Sequence, residues 1–182
     1  MRFLEIDEAA LKDKLRSLGA VDHQEDFLRE MIFYDQALHW QTAERKFVRI
    51  RQTQKGTFVT FKHNEEDSAT GTKEIEFKVD SSETEKVKNF LEEIGLVMFR
   101  EQEKKRHSFD LQGVLVELDT WPEIPTYVEL EGPSEEALKQ TAAALGLDWA
   151  NVVFDPPRYL IEQRYHIPVS DYRFFTFKKI GN

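Results

Sequence analysis

Apolar and polar residues along the chain follow two different periods. In three stretches apolar residues recur every three or four positions, the repeat of one helix face. The first runs from Asp7 to Leu18, with Leu11, Leu15 and Leu18 as its stripe, Asp7 as its N-cap and Gly19 as its stop. The second runs from Ser82 to Ile94. Ser82 and Glu85 stand at capping-box spacing, Val87, Phe90, Leu91 and Ile94 form the stripe, and Gly95 ends it. The third follows Pro133, starts at Ser134 or Glu135, turns Ala137, Leu138, Ala142 and Leu145 inward and closes at Gly146. Elsewhere the period falls to two, and 31–35, 45–53, 57–63, 72–79, 104–111, 113–121 and 126–131 read as strands. Gly56 and Gly113 lie between strand pairs, as hairpin turns do. The order of a helix followed by strands occurs twice, over 7–79 and 82–131, a duplication of layout and not of sequence. After Trp149 the pattern weakens. Asp155-Pro156-Pro157 reads as a turn, Tyr159 to Tyr165 as a short helix and Phe174 to Ile180 as a late strand. Many strands with a few helices and short turns predict an antiparallel α+β fold, a single domain over 1–182.

Splitting each strand into its two faces exposes the main chemical signal, because residues i and i+2 share a face. Arg49 and Arg51 lie opposite Val48 and Ile50, and Thr60 and Lys62 opposite Val59 and Phe61. Glu74, Glu76 and Lys78 lie opposite Ile75 and Phe77, and Lys104 and Arg106 share a face. Glu117 and Asp119 lie opposite Val116 and Leu118, and Glu129 and Glu131 opposite Val128 and Leu130. Alternation of this kind is ordinary for a half-exposed sheet. Segregation of cations onto three strands and carboxylates onto three others is not required for solubility. If the sheet closes with its charged faces inward, Arg49, Arg51, Lys62, Lys104 and Arg106 repel one another unless a polyanion joins them. Arg forks suit phosphate oxygens, and Lys supplies a point charge. Carboxylates beside phosphate need a hard cation between them, and clustered oxygens with few imidazoles suit Mg²⁺ or Mn²⁺. This is the equipment of phosphoryl or nucleotidyl transfer.

Composition narrows the picture. The 182 residues are 40% hydrophobic and 32% charged, a globular balance with room for a core. A net charge of -9 argues against a duplex nucleic acid or a membrane surface, but not against a nucleotide met by a local cationic pocket. The absence of cysteine excludes disulfides, iron–sulfur clusters, thiol catalysis and cysteine zinc sites. No apolar run approaches the roughly 20 residues of a membrane span, and no signal-peptide core opens the chain, so a cytoplasmic protein is expected. His23, His39, His63, His107 and His166 are scattered without metal-ligand spacing and read as surface or structural residues. Trp121 and Trp149 read as packing residues, and Glu65-Glu66-Asp67 as a solvated loop that could stand at a tunnel mouth. Tyr159 and Tyr165 reach either a base or a packing site, packing being favoured. There is no phosphate-cradling glycine loop, serine triad or zinc motif.

The ordered set of pairs resembles the CYTH superfamily, which includes class IV adenylate cyclases, thiamine triphosphatases and inorganic triphosphatases. The family order is R-x-R, T-x-K, E-x-E, K-x-R and an acidic strand ending in E-x-E. It is met here by Arg49/Arg51, Thr60/Lys62, Glu74/Glu76, Lys104/Arg106, and the stretch from Val116 through Trp121 to Glu129 and Glu131. The resemblance implies an eight-stranded antiparallel β-barrel, the triphosphate tunnel, with flanking helices and dependence on Mg²⁺ or Mn²⁺. It implies that Arg49, Arg51, Lys62, Lys104 and Arg106 hold phosphate, with Glu74 and Glu76 balancing and orienting them. Glu129 and Glu131, with Glu117 and Asp119 of the acidic strand, would hold metal; Lys62, Lys104 and Asp119 would act in the chemistry. One departure stands out. The family opens with E-x-E-x-K, whereas Arg2 matches only the basic end of that motif, so both glutamates are missing. Glu5 and Asp7 have the right spacing, but Asp7 reads as a helix cap. Either the start lies upstream of Met1, the favoured expectation, or the metal site is weakened.

Three activities fit these residues. One is hydrolysis of the terminal phosphate of ATP, tripolyphosphate or thiamine triphosphate. The second is class IV cyclase conversion of ATP to cyclic AMP and pyrophosphate, and the third is triphosphate or polyphosphate binding without turnover. Trp149 to Ile167 resembles the tail of class IV cyclase-like bacterial and archaeal members. Hydrolysis is favoured because water needs no base pocket. The chain is expected to be a monomer or homodimer.

Overall fold

The computed structural model describes residues 1–64 and 72–182, so Glu65, Glu66 and Asp67 of the expected acidic loop lie outside the described residues. The elements in chain order are β1 (Arg2–Phe3), α1 (Glu8–Ser17), β2 (Val21–Asp35), α2 (His39–Thr42), β3 (Lys46–Thr53), β4 (Gly56–Asn64) and β5 (Thr72–Val79). They continue with α3 (Thr84–Glu93), β6 (Leu96–Leu111), β7 (Val114–Thr120), β8 (Tyr127–Glu131), α4 (Glu135–Leu145), α5 (Pro157–Tyr165), β9 (Phe174–Phe175) and β10 (Ile180–Gly181). The architecture is an antiparallel sheet with flanking helices, the α+β class expected from the pattern. No helix among the described residues is long and apolar enough to cross a membrane. The chain divides into two compact units: residues 1–26 with 104–171, and residues 27–103 with 172–182.

In the first unit β1 pairs with β8, β8 with β7 and β7 with the last part of β6, all antiparallel. Residues opposite each other across a pair point to the same side of a sheet. Arg106 stands opposite Asp119, Glu117 opposite Glu129, and Glu129 opposite Arg2, so these polar residues share one face. Phe3, Phe109, Val116, Leu118, Val128 and Leu130 take the other face. Leu11 and Leu15 of α1 and Leu138, Ala142 and Leu145 of α4 close over that apolar face to form the core. Both helices begin where the sequence places their caps. Asp7 Oδ1 accepts the Ala10 amide at 3.0 Å, and Ser134 Oγ accepts the Ala137 amide at 3.2 Å. The β6–β7 turn is a two-residue loop in which Gln112 and Gly113 both have positive φ (55° and 85°), the backbone that a tight hairpin of this twist needs.

In the second unit β2, β3, β4 and β5 follow one another antiparallel, with the first part of β6 beside β2. Met31, Phe33, Val48, Ile50 and Val59 face Leu91 of α3 and Leu96 as a separate core. β9 runs parallel to β6 and pairs with β10.

Several elements depart from the sequence pattern for identifiable reasons. β2 and β6 begin ten and eight residues earlier than the alternation predicts, at Val21 and Leu96. Neither early segment alternates: that of β2 carries polar residues on both faces, and that of β6 runs from the continuous apolar Leu96–Phe99 straight into the continuous polar Arg100–Glu103. The late strand is a turn between two short strands, held where the amides of Lys178 and Lys179 donate to Thr176 Oγ1. α3 starts two residues late, because Ser82 is bound to Asp80 through both its amide (2.9 Å) and its hydroxyl (2.6 Å) in a preceding 3₁₀ turn. α2 was not signalled. Its first amides, on His39 and Trp40, are satisfied by the Asp35 carboxylate. The predicted stripes also overreach: Leu18, Phe90 and Ile94 are exposed, as are Ile75 and Phe77 on β5.

Leu15 is completely buried under the first unit's core. Leu15→Ala should therefore cost about 2–5 kcal/mol, read as a lowered urea midpoint at unchanged slope.

Candidate active site

The polar face of the first unit is built around Asp119. β7 places this carboxylate with no exposed surface, where an isolated charge would be prohibitive. It survives because β6 brings two cations to it. Lys104 Nζ lies 2.8 Å from Oδ2, and Arg106 grips both oxygens through Nε and Nη2 at 2.6 Å each. The Tyr127 hydroxyl donates to Oδ2 at 3.3 Å and accepts Trp121 Nε1–H at 3.0 Å, so Trp121 packs and also fixes the carboxylate. The Lys104 ammonium also stands 5.2 Å from the Trp121 ring centroid. Burial alone would raise the Asp119 carboxyl, but Lys104 and Arg106 outweigh it and hold it below its ordinary value. Burial opposes the Arg106 charge in turn, and the bond to Asp119 overrides it, so the guanidinium is held above its ordinary value.

The remaining carboxylates of this face form a graded series. Glu117 bonds Arg106 Nη1 at 2.5 Å, yet burial dominates and leaves its carboxyl above the usual range, with Asp119 nearby adding to the effect. Glu129 lies between Arg2 Nη2 at 2.5 Å and Arg106 Nη2 at 3.6 Å. Glu131 is exposed at the end of β8. The face therefore carries one carboxylate short of counter-charge and one facing water.

The second unit has its own cluster. Glu30, 4% exposed, accepts Arg51 Nε at 2.8 Å and lies 3.5 Å from Arg49 Nη1, while Gln102 Nε2 donates to its other oxygen at 2.7 Å. Glu76 accepts the Thr60 hydroxyl at 2.7 Å and stands 3.9 Å from Arg49; Glu74 stands 3.1 Å from Lys62. Burial pulls the Arg49 guanidinium below its ordinary value, and its Nε is buried without a hydrogen bond.

The pairs read from the sequence are thus placed on polar sheet faces, cations against carboxylates. Lys104, Arg106, Glu117, Asp119 and Glu129 come together in the first unit, with Glu131 at its margin. Arg49, Arg51, Lys62, Glu74 and Glu76 come together in the second. Glu30 is not among the residues read from the sequence, because the alternation starts at 31 whereas β2 starts at Val21. Glu5 and Asp7 do not join the polar face: Asp7 caps α1, and Glu5 has a φ of 55° and pairs with Arg164 at 3.1 Å. His107 points to the apolar side, where its ring stacks on Phe109 and its Nε2 bonds Asp22 at 2.6 Å.

Among the described residues no three acidic or histidine side chains are gathered into a ready metal cage, because the carboxylates are turned towards Arg and Lys. The donor chemistry nevertheless fits a hard divalent ion. The face offers several carboxylate oxygens and no imidazole, and Glu117 is under-compensated.

A sheet with one apolar face under helices and one face of paired cations and carboxylates is an antiparallel α+β scaffold for charged ligands. The CYTH domain family model matches residues 2–151, and the chain belongs to that family. No curated protein matches it in sequence. Solved structures share the fold. The PH1012 protein of Pyrococcus horikoshii is 19% identical with a TM-score of 0.65, covering 84% of this chain and 94% of its own. A candidate adenylate cyclase of Vibrio parahaemolyticus is 12% identical at 0.69, over 89% and 95%. A candidate adenylyl cyclase of Hippeastrum, whose structure is described as revealing a dominant triphosphatase activity, is 13% identical at 0.63, over 91% and 94%.

Two stability effects follow. Asp119→Asn leaves the buried Lys104 ammonium without its carboxylate and removes one of the carboxylates around Arg106, and should cost roughly 3–5 kcal/mol in chemical denaturation at pH 7. The Asp119 contribution is present above the ordinary aspartate value and is lost as pH falls through its lowered folded value. Glu117 has the opposite sign: with its folded value raised, protonation favours the folded state. Glu117→Gln should leave the melting temperature at pH 7 equal or higher. It should also flatten the profile between the ordinary glutamate value and the raised one.

Proposed function

We propose that this chain is a metal-dependent triphosphate-processing enzyme that hydrolyses the terminal phosphate of an inorganic or organic triphosphate. The observation that carries this reading is the set of cations fastened in advance to carboxylates on the polar faces, above all Lys104 and Arg106 on buried Asp119. Donors held in place before the ligand arrives need no reorganisation as charge develops on phosphate oxygens. The buried, unbonded Nε of Arg49 and Arg2 are further donors without a protein acceptor. In this reading Arg49, Arg51, Lys62, Lys104 and Arg106 bind phosphate oxygens, while Glu74 and Glu76 keep the second unit's cations oriented. Glu117, Glu129 and Glu131, with Asp119, would hold Mg²⁺ or Mn²⁺. Such an ion would neutralise charge on the transferring phosphate and on the leaving group. Closure of the strands into the family's eight-stranded tunnel, as a single domain, belongs to the same proposal and is supported by the family match and the shared fold.

A second reading, class IV adenylate cyclase, uses the same phosphate ligands with the nucleotide's 3′-hydroxyl as nucleophile. It is supported by neighbours described as candidate adenylate cyclases. Incubation with tripolyphosphate, ATP and thiamine triphosphate, with Mg²⁺ or Mn²⁺, separates the readings by product. Orthophosphate is expected; cyclic AMP with pyrophosphate marks the cyclase; tight binding with no product leaves only a binding module. Lys62→Ala, at a partly exposed position, should weaken triphosphate binding by about tenfold or more, the value of one charge-assisted contact. Glu131→Ala should mainly raise the metal concentration needed for half-maximal turnover. Unchanged binding and metal response in both variants would remove the assignment.

A further inference from the structure

Backbone pairing places Arg2 against Glu129. Met1 and Leu130 exchange both backbone hydrogen bonds between β1 and β8, at 3.0 and 2.8 Å. In an antiparallel ladder the next pair makes no backbone hydrogen bonds and brings its side chains closest, and that pair is Arg2 with Glu129. On its other edge Arg2 forms a reciprocal backbone bridge with Val153, the two amide–carbonyl bonds being 2.8 and 2.9 Å. Fixed from both sides, Arg2 reaches Glu129 Oε1 through Nη2 at 2.5 Å and donates through Nη1 to the Asp155 carbonyl at 2.7 Å. Asp155 in turn lines a cavity of about 630 Å³ along α5, with Leu4, Glu5 and Val153.

Both oxygens of Glu129 therefore face a guanidinium, Oε1 that of Arg2 and Oε2 that of Arg106 at 3.6 Å. The two cations are not equivalent. Arg106 is committed elsewhere, through Nε and Nη2 to Asp119 and through Nη1 to Glu117. For Arg2, Glu129 is the one carboxylate partner among the described residues, and its Nε is buried without an acceptor. Glu117 stands directly opposite Glu129 across β7 and β8, so two carboxylates of adjacent strands adjoin. A hard cation between them would take oxygen ligands at about 2.0–2.1 Å, the distance usual for Mg²⁺. At Glu129 Oε1 it would lie against the Arg2 guanidinium, one oxygen then serving two cations that repel each other. Arg2 and a divalent ion thus compete for the same carboxylate. A phosphate oxygen reverses the competition, because it accepts from the Arg2 fork and from the unbonded Nε.

We propose that Arg2 is a positioning residue that makes metal binding at Glu117 and Glu129 conditional on the triphosphate: it neutralises Glu129 in the ligand-free chain and releases it when phosphate oxygens take the guanidinium. The inference rests on the metal-dependent triphosphate reading above and adds the order of assembly. The free chain has low affinity for the ion, which enters with the triphosphate or after it. By linkage each ligand raises the affinity for the other, and Arg2 carries that coupling.

Mn²⁺ binding to the full chain, followed by loss of the free-ion electron paramagnetic resonance signal, tests this without turnover. Arg2→Gln, and equally Arg2→Met with its apolar stem kept, should tighten Mn²⁺ on the ligand-free chain by about tenfold or more. Arg2→Lys keeps the charge and should stay within about threefold of the native affinity. Glu129→Gln alone should move the native affinity by less than about twofold, since Arg2 already occupies that carboxylate; on Arg2→Gln it should remove the whole gain. A saturating non-hydrolysable imido analogue of tripolyphosphate should tighten Mn²⁺ on the native chain by about tenfold beyond the chelation measured without protein, and by much less on Arg2→Gln. Unchanged or weaker Mn²⁺ binding in the neutral Arg2 variants, or equal losses from Glu129→Gln in both backgrounds, would overturn the role of Arg2 and leave the metal reading standing. No response to Glu129→Gln in either background, with no Mn²⁺ gained on adding the analogue, would overturn both.

Discussion

Asp119 is the contact on which the charged face of the first unit depends. A carboxylate with no access to water is tolerable only because Lys104 and both arms of Arg106 meet it, with Tyr127 and Trp121 holding its orientation. The same contact makes the buried Lys104 ammonium tolerable. Once that arrangement is in place, the neighbouring carboxylates cannot all be satisfied. Glu117 must share Arg106, Glu129 is shared between Arg106 and Arg2, and Glu131 is left to solvent. Unequal neutralisation on one sheet face is the electrostatic basis for expecting an anionic ligand accompanied by a metal.

The apolar side explains why the charged side can exist. Phe109, Val116, Leu118, Val128 and Leu130 are anchored beneath α1 and α4, so strand register is set by burial and not by the ion pairs. A slip of one residue would exchange the two faces completely. In the second unit Met31, Phe33, Val48 and Ile50 pin β2 and β3 in the same way, and this brings Glu30 opposite Arg51. Charge placement thus inherits its precision from packing.

The cavity along α5 adds a different kind of surface beside the charged face. Its walls come from segments far apart in sequence, Leu4–Glu5, Val153 with Asp155, and α5. They are joined by the Arg2–Val153 bridge and by Arg2 itself. One side chain, Arg2, touches both Glu129 and the Asp155 backbone.

The sequence by itself determined the α+β class, the three long helices and the faces of six strands. Each follows from a local repeat of 3.6 or 2 residues that burial must respect. It also placed Asp7 and Ser134 as caps and ordered the charged pairs well enough to point to the CYTH family. Tertiary structure decided what no local repeat encodes. The early parts of β2 and β6 do not alternate, the first being polar on both faces and the second an apolar run followed by a polar one, so only pairing reveals them, and with them Glu30. Whether Leu18, Phe90 or Ile94 is buried depends on which neighbour arrives to cover it, and none does among the described residues. Tyr159 and Tyr165, between which packing and ligand roles stayed open, line the cavity only because α5 lies beside Leu4 and Val153. Periodicity determines which side a residue faces; the meeting of distant segments determines what it faces.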